Sequence, residues 1–214
     1  MVDGSQNLES NNMKALKVTV VDGGFGNIYS LCSAIKYLGY EPYVTTDSKR
    51  IVNSDRLILP GVGAFGAGMQ NLDQKSLRKT LNEAVLIQKI SFLGICLGMQ
   101  LLAKTSEEAE GVAGLGWING HVKKIKCQDK VLPHIGFDNV EGFKDGQSRD
   151  FYFVHSYALH SIDESCQTFW SSYGTKFISG ISKGNINGVQ FHPEKSQSNG
   201  LLLLKKFLKT GGLY

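Results

Sequence analysis

The sequence predicts a three-layer α/β domain with a mainly parallel central sheet and a more antiparallel second half. In the first half, short apolar segments alternate with segments of helical periodicity, a pattern typical of parallel sheets covered by helices on both faces. After about Glu110 the sequence changes to short β-rich pieces separated by glycine and polar turns. One domain over residues 14–214 accounts for both halves, because a chain of this length can bury one good core.

The first half begins with an apolar, β-branched run from Leu16 to Val21, which predicts a buried strand that runs into a tight turn. Apolar residues then recur at helical spacing from Asn27 to Leu38, and Gly39 supplies the C-terminal stop. The remaining elements of this half are predicted strands at 43–45, 57–59 and 90–95 and a helix at roughly 69–84.

The second half is predicted to contain strands at Phe151 to Tyr157, Thr168 to Tyr173 and Gly188 to Phe191. The amphipathic run from Leu201 to Leu208 predicts a surface helix at the end of the chain. By contrast, residues 1–13 are polar and show no periodicity, which predicts a disordered extension outside the fold.

Composition and charge exclude several classes of function. The formal net charge is +4, and the basic residues are scattered without a stripe or interleaved aromatics, so we expect no nucleic-acid partner. No apolar run approaches the roughly 20 residues that a membrane span requires, so we expect no membrane association. The start of the chain shows no secretory segment, and a cytoplasmic location is expected.

The chain contains four cysteines that stand far apart: Cys32, Cys96, Cys127 and Cys166. No pair has Cys-x-x-Cys spacing and none has a histidine at zinc-ligand spacing, which argues against a metal site. A disulfide framework is also disfavoured at this length. The loop from Gly23 to Gly26 lacks the third glycine of a dinucleotide fingerprint, and no Walker loop is present. We therefore expect no cofactor.

The segment from Phe92 to Gln100 reads FLGICLGMQ, an apolar strand that stops at Cys96 between Gly94 and Gly98. This is the Gly-x-nucleophile-x-Gly elbow with cysteine in place of serine. Small residues two before and two after the nucleophile let the strand and the next helix approach closely. The sulfur then faces a helix N-terminus, which favours the thiolate. The segment alone also fits a buried core cysteine.

A second segment, from Gly188 to Glu194, reads GVQFHPE and again ends a short strand with polar residues. Pro193 favours an extended His192, and the two-residue spacing lets His192 and Glu194 point to the same side. A cysteine nucleophile needs an imidazole to move its proton, and the imidazole needs a carboxylate to fix its tautomer. Taken alone, the tripeptide also fits a solvated histidine beside a solvated glutamate.

A third segment, LILPGVG from Leu57 to Gly63, is a strand that ends in a glycine-rich loop. Backbone N–H groups at Gly61 and Gly63, together with that of Leu97 after the cysteine, are suited to meet an oxyanion. An ordinary strand-to-helix turn is the alternative.

These segments, in this order, resemble the class I (triad) glutamine amidotransferases over about residues 17–209. Within that family the resemblance is closest to the glutaminase subunits of imidazole glycerol phosphate synthases. The motifs that carry it are DGGFGNIYS at 22–30, PGVGAFGAGM at 60–69, GICLGMQ at 94–100 and FYFVHSY at 151–157.

The resemblance implies that Cys96 attacks the side-chain amide of L-glutamine, that His192 acts as base and then acid, and that Glu194 orients His192. It also implies that Gly63 and Leu97 meet the oxyanion. The positions that match those holding the amino-acid end of the substrate are Gln100, Glu108, Ser156 and Tyr157. His155 is interpreted as structural.

The resemblance further implies a heterodimer with a cyclase or synthase subunit that receives the ammonia. This chain has PHIGFD at 133–138 where the family usually has Pro-His-Met-Gly-Trp-Asn. Losing a tryptophan and gaining a carboxylate alters the anchors of an interface. We expect Asn27, Phe137 and Asp138 to lie on the partner-facing side.

Three alternative functions fit the same residues. A paralogous subunit could feed ammonia to a sugar-modifying synthase of surface-polysaccharide synthesis. A catalytically silent subunit could regulate a partner, although such a protein has no need of Cys96, His192 and Glu194. A stand-alone hydrolase that cleaves γ-glutamyl bonds is the third.

Overall fold

The computed structural model describes residues 16–128, 130–160, 162 and 165–213. The predicted extension at 1–13 lies outside these residues. The strands are β1 (Val18–Val21), β2 (Pro42–Thr45), β3 (Arg56–Gly61), β4 (Ser91–Cys96), β5 (Thr105–Ser106), β6 (His121–Lys124), β7 (His134–Val140), β8 (Arg149–His155), β9 (Tyr157–His160), β10 (Gln167–Tyr173), β11 (Thr175–Lys183) and β12 (Ile186–Val189). The α-helices are α1 (Ile28–Tyr37), α2 (Ser48–Ile51), α3 (Phe65–Gln74), α4 (Leu77–Asn82), α5 (Leu97–Gln100) and α6 (Gln197–Thr210).

The main sheet has the strand order β2-β1-β3-β4-β12-β11-β9-β6-β5, with β10 paired to β11. The strands from β2 to β12 in that order are parallel to their neighbours. β11 pairs antiparallel with β12, β9 and β10, and β6 pairs antiparallel with β9. The predicted change from a parallel first half to a more antiparallel second half is confirmed. β7 and β8 form a separate antiparallel hairpin.

Helices cover both faces of the central sheet, as the alternation of side chains along the strands requires. Leu57 and Leu59 of β3 pack in a core cluster with residues of α3 and α4. Ile58, between them, packs on the other face in a cluster that includes Leu31 of α1 and Phe207 of α6. The predicted three-layer α/β fold is therefore correct.

Two predicted elements differ from the structure. The single helix expected at roughly 69–84 is two helices, because Ser76 adopts a left-handed φ of 56° between them, and a π-helical segment follows at Glu83–Ile87. The strand expected at 151–157 divides at Ser156 into β8 and β9, which belong to different sheets. Ser156 and Tyr157, at this division, line a cleft that Cys96 also lines.

None of the helices within the described ranges has the length and apolar character that a membrane span requires.

Candidate active site

Cys96 is the last residue of β4 and immediately precedes α5, so it lies at the strand-to-helix junction that the sequence predicted. Its backbone has φ 53° and ψ −109°, a conformation that side-chain-bearing residues rarely adopt. Such strain persists only where the surrounding structure imposes it, and it is typical of functional positions. The side chain is buried, with 6% of the residue exposed.

The glycines around Cys96 are required by close packing of the backbone. A Cβ atom on Gly98 would lie 1.9 Å from the carbonyl oxygen of Leu59 in β3, and one on Gly94 would lie 2.5 Å from the carbonyl oxygen of Gly98. Real Cβ atoms do not make such contacts, so any side chain at either position would push α5 away from the sheet. The glycines thus hold the tight turn that presents Cys96.

Strand pairing places the other predicted residues beside Cys96. Gly61 at the end of β3 pairs with Cys96, and Val189 at the end of β12 pairs with Ile95. The chain beyond Val189 therefore passes alongside the cysteine. His192 follows in an extended conformation, as predicted for a residue before proline.

The backbone of His192 is held in place by β8. Its N–H donates to the carbonyl of Tyr152 at 2.8 Å, and its carbonyl accepts from the hydroxyl of Ser196 at 2.6 Å. The Ser196 hydroxyl in turn accepts from the N–H of Tyr152 at 2.9 Å. Sequence reasoning missed Ser196, which has no motif of its own and is recognised only by these contacts.

The imidazole of His192 lies between a carboxylate and the cysteine sulfur. Nδ1 donates to Oε1 of Glu194 at 2.9 Å, and both side chains are almost fully buried. Nε2 is also buried and makes no hydrogen bond of normal geometry to any described residue. Burial by itself lowers the pKa of His192, but the adjacent Cys96 sulfur and Glu194 carboxylate outweigh it and raise the pKa to about 10. At neutral pH the imidazole is therefore a cation.

A cleft of about 280 Å³ opens beside Cys96. Its lining includes two of the predicted oxyanion residues, Gly63 and Leu97, but not Gly61. It also includes all four predicted substrate-binding residues: Gln100, Glu108, Ser156 and Tyr157. Leu97 is the first residue of α5, where backbone N–H groups have no partner within the helix. Gly63 has φ 113°, a conformation that favours glycine.

A buried network of amides connects the cleft to the sulfur. The side-chain nitrogen of Gln100 donates to the carbonyl of Tyr157 at 2.9 Å and to Oε1 of Gln190 at 3.0 Å. The Gln190 nitrogen in turn lies 3.5 Å from the Cys96 sulfur and donates to it. Gln190 was missed by sequence reasoning, although its spacing of two residues from His192 at the end of a strand was a usable signal.

Some predicted residues also have structural contacts of their own. Oε2 of Glu108 accepts from the N–H of Phe65 at 2.8 Å, which caps the first turn of α3. Asn27 caps α1 by accepting from the N–H of Ser30 at 3.4 Å.

The residues predicted to face a partner lie on or near the β7–β8 hairpin, except for Asn27. Phe137 is 50% exposed and packs edge-on against Tyr152 with ring centroids 5.6 Å apart. Oδ2 of Asp138 lies 3.4 Å from Nε2 of His134. The hairpin borders the cleft through Pro133 and Val154. An interface role for these residues stays a prediction.

Among the described residues, no group of three or more His, Cys, Asp and Glu side chains could hold a metal ion. None of the four cysteines forms a disulfide within the described residues.

Comparison with known proteins identifies the class to which this fold and site belong. A family profile described as class-I glutamine amidotransferase matches residues 19–210. A crystal structure of a glutamine amidotransferase superposes with a TM-score of 0.73 over 89% of this chain and 98% of that one, at 19% identity, which shows the shared fold. The chain belongs to the class-I glutamine amidotransferase family.

Two relatives indicate to which group within the family the chain is similar. The chain is 44% identical over 197 residues to the imidazole glycerol phosphate synthase subunit HisH of Moorella thermoacetica, across 89% of this chain and 93% of that protein. It is 42% identical over 204 residues to subunit HisH 1 of Parasynechococcus marenigrum, across 90% and 97% of the two chains. Within its family, the chain groups with the HisH subunits.

Proposed function

We propose that this chain hydrolyses L-glutamine to L-glutamate and ammonia and delivers the ammonia to the cyclase subunit of an imidazole glycerol phosphate synthase. The observation that carries the proposal is Cys96 at the wall of a cleft large enough for a small amino acid, with the buried His192–Glu194 pair adjacent to its sulfur. The names of the HisH relatives support the choice of synthase.

In the first half of the reaction, the Cys96 sulfur attacks the carbonyl carbon of the glutamine side-chain amide. The imidazolium of His192, which the raised pKa maintains at neutral pH, then gives its proton to the departing nitrogen. Ammonia leaves and a γ-glutamyl thioester remains on Cys96. Glu194 accepts from Nδ1 and keeps Nε2 directed at the sulfur, the part that an orienting carboxylate plays in a triad.

In the second half, His192 removes a proton from water as the water attacks the thioester carbon. The C–S bond breaks, glutamate leaves and the proton regenerates the resting pair. Negative charge develops on the carbonyl oxygen in both halves. The N–H groups of Gly63 and Leu97, which border the cleft next to Cys96, are the proposed donors to that oxygen.

The amino-acid end of the substrate is assigned to four other residues that line the cleft. Glu108 offers a carboxylate to the α-ammonium group, and Gln100 offers its side-chain oxygen, since its nitrogen donates within the protein. Ser156 and Tyr157 provide polar groups for the α-carboxylate. This placement directs the side-chain amide of glutamine at Cys96.

A partner is proposed because ammonia at neutral pH is mostly protonated and diffuses away. The receiving active site must therefore be docked over the cleft. The β7–β8 hairpin, with Phe137 exposed at its edge, and the N-terminus of α1 at Asn27 are the proposed docking surface. The complex is a heterodimer, and a cytoplasmic location stays a prediction from the sequence.

A second partner is suggested by residues 133–138. Phe137 and Asp138 stand where the family usually has tryptophan and asparagine, so the anchor and the charge of this surface both differ. A sugar-modifying synthase of surface-polysaccharide synthesis is the alternative partner.

The experiment that tests the proposal is to mix the purified chain with the cyclase and, separately, with the sugar-modifying synthase from the same genome. Glutamate release is measured with each partner and without either. We expect stimulation by the cyclase and little turnover of the chain alone, because docking selects the active arrangement of the loop at Gly61 to Gly63.

Each other outcome identifies an alternative. Stimulation by the second synthase alone overturns the choice of partner. Equal turnover with and without partners indicates a stand-alone hydrolase. Absence of glutamate release with both partners indicates a silent regulatory subunit.

A further inference from the structure

Two buried histidines of the β7–β8 hairpin, His134 and His155, are not used by the proposed reaction. Nδ1 of His134 in β7 lies 3.2 Å from Nε2 of His155 in β8. Nδ1 of His155 lies 2.9 Å from the carbonyl oxygen of Tyr157. The two rings are enclosed by aromatic groups, with Tyr173 and Phe153 stacked on His134 at centroid distances of 4.0 and 4.8 Å.

The hydrogen-bonding atoms determine the direction of this series. The carbonyl oxygen of Tyr157 can only accept, so Nδ1 of His155 carries a hydrogen. Burial lowers the pKa of His155 to about 3, so the ring is neutral and its Nε2 must accept. Nδ1 of His134 is therefore the donor to His155. Both bonds point from the hairpin toward Tyr157.

At the outer end of the series, Nε2 of His134 carries no hydrogen. Burial also lowers the pKa of His134, and a neutral His134 with its hydrogen on Nδ1 presents a lone pair at Nε2. That lone pair faces Oδ2 of Asp138 at 3.4 Å. The distance exceeds the roughly 2.7–2.9 Å of a charge-assisted hydrogen bond, which agrees with two acceptors that face each other.

The inner end of the series reaches the cysteine. The Tyr157 carbonyl that accepts from His155 also accepts from Gln100, which donates to Gln190, which donates to the Cys96 sulfur. A continuous line of hydrogen bonds therefore runs from His134 to the proposed nucleophile. The contact between Asp138 and His134 is its open link.

We propose that His134 and His155 are positioning residues that fix the Tyr157 carbonyl and the Gln100–Gln190 pair for glutamine binding, and that a hydrogen supplied at the Asp138–His134 link completes the series. This inference rests on the proposed glutaminase function. Proton uptake by the pair supplies the hydrogen in the wild-type chain. An amide at position 138 supplies it at any pH, because its nitrogen donates to the Nε2 lone pair.

Several charged and titratable groups face the two histidines. Asp138 raises the pKa of His134, and Lys130 lowers it. His134 and His192 each lower the pKa of His155. Tyr173 stacks on His134, and Nζ of Lys130 lies 4.5 Å from the centroid of the Tyr173 ring. Of these groups, only Asp138 touches Nε2 of His134, so a change there isolates the link.

The test measures KM and kcat for glutamine between pH 5 and 8 in the complex with the activating partner. In the wild type we expect KM to rise as the pH increases through the range below 6.5, the ordinary pKa of histidine, because burial lowers the pKa of His134 and the link loses its proton there. In Asp138→Asn we expect a KM that is low and independent of pH. At pH 8 the two should differ by about threefold to tenfold, the range that one neutral hydrogen bond provides.

Two further variants separate positioning from general structure. His134→Phe keeps an aromatic ring for stacking but removes the link, so Asp138→Asn should have no effect on KM in that background. Asp150→Asn makes the same chemical change on β8, where Asp150 faces Asn139, and should keep the wild-type profile.

The proposal is overturned if Asp138→Asn has the wild-type pH profile of KM, or if its effect persists with Phe at position 134. Failure of the underlying function is a different result, since the wild-type complex would then release no glutamate at any pH. Thermal unfolding of each variant identifies any loss that comes from a damaged fold.

Discussion

The imidazole of His192 donates from Nδ1 to Oε1 of Glu194 at 2.9 Å, and both side chains are buried. This contact fixes the orientation of the ring and leaves Nε2 for the Cys96 sulfur. The buried ring thus has a carboxylate on one side and a sulfur on the other, an arrangement suited to proton transfer. A histidine that only packs in the core does not require both partners.

Replacing Cys96 with alanine should abolish glutamine hydrolysis and leave the fold intact. The change removes the proposed nucleophile but only one buried sulfur atom from the core. We expect kcat in the activated complex to fall by roughly 10⁴-fold or more. Steady-state glutamate release gives the loss, and circular dichroism checks the fold. Appreciable activity in this variant would require another nucleophile.

Replacing Glu194 with glutamine should be milder than removing the nucleophile. The amide has the same shape but no charge, so the ring of His192 is less firmly oriented. We expect a loss in kcat that is smaller than that of Cys96→Ala by roughly 10²-fold, as for orienting carboxylates elsewhere. Equal losses in the two variants would show that Glu194 does more than orient.

The contact between the His192 and Glu194 side chains predicts that the stability of the fold depends on pH. The folded pKa of His192, raised to about 10, lies above its ordinary value, so interactions with the imidazolium stabilise the fold fully below about pH 6.5. That contribution is lost as the pH rises toward 10. The difference in unfolding free energy between wild type and Glu194→Gln should therefore be larger at pH 6 than at pH 9.5, measured by urea titration. A constant difference contradicts a charged His192.

Adding a methyl group at Gly98 should disturb the elbow at Cys96. The new Cβ would meet the Leu59 carbonyl at 1.9 Å, so α5 must shift. We expect a destabilisation of about 1–3 kcal/mol or more, as for other overpacked sites, together with loss of activity. Gly212→Ala is the matched control, because a Cβ there meets no atom within 4 Å. Urea unfolding of both variants gives the comparison.

Replacing Phe137 with alanine should weaken docking of the partner without affecting the free chain. The ring is 50% exposed on the hairpin beside the cleft, and a buried aromatic anchor at an interface typically contributes about 2 kcal/mol or more. Tyr37→Ala is the control, since that ring is 78% exposed on the C-terminal end of α1. Calorimetric titration with the partner gives both affinities. Equal affinities would place the interface elsewhere.

The sequence determined the local parts of this site. Cys96 at the end of a strand between two glycines, and His192 before Pro193, are readable because turn chemistry and strand periodicity depend on neighbouring residues alone. For the same reason, the spacing of predicted strands and turns indicated the change from parallel to antiparallel strand pairing. The break of the 69–84 helix at Ser76 was missed, because serine gives no signal for a left-handed conformation.

The tertiary structure decided which of these parts meet. The parallel pairing of β4 with β12 brings His192 to Cys96, and it places Gln190 against the sulfur. The pairing of β7 with β8 sets His134 opposite His155, which no local pattern predicts. Strand partners and register are fixed by the packing of residues far apart in the chain, and so are the burial and the neighbouring charged groups that set the charge of each histidine. One sequence shows which residues are present, but the contacts between residues distant in the chain are formed only when the chain folds.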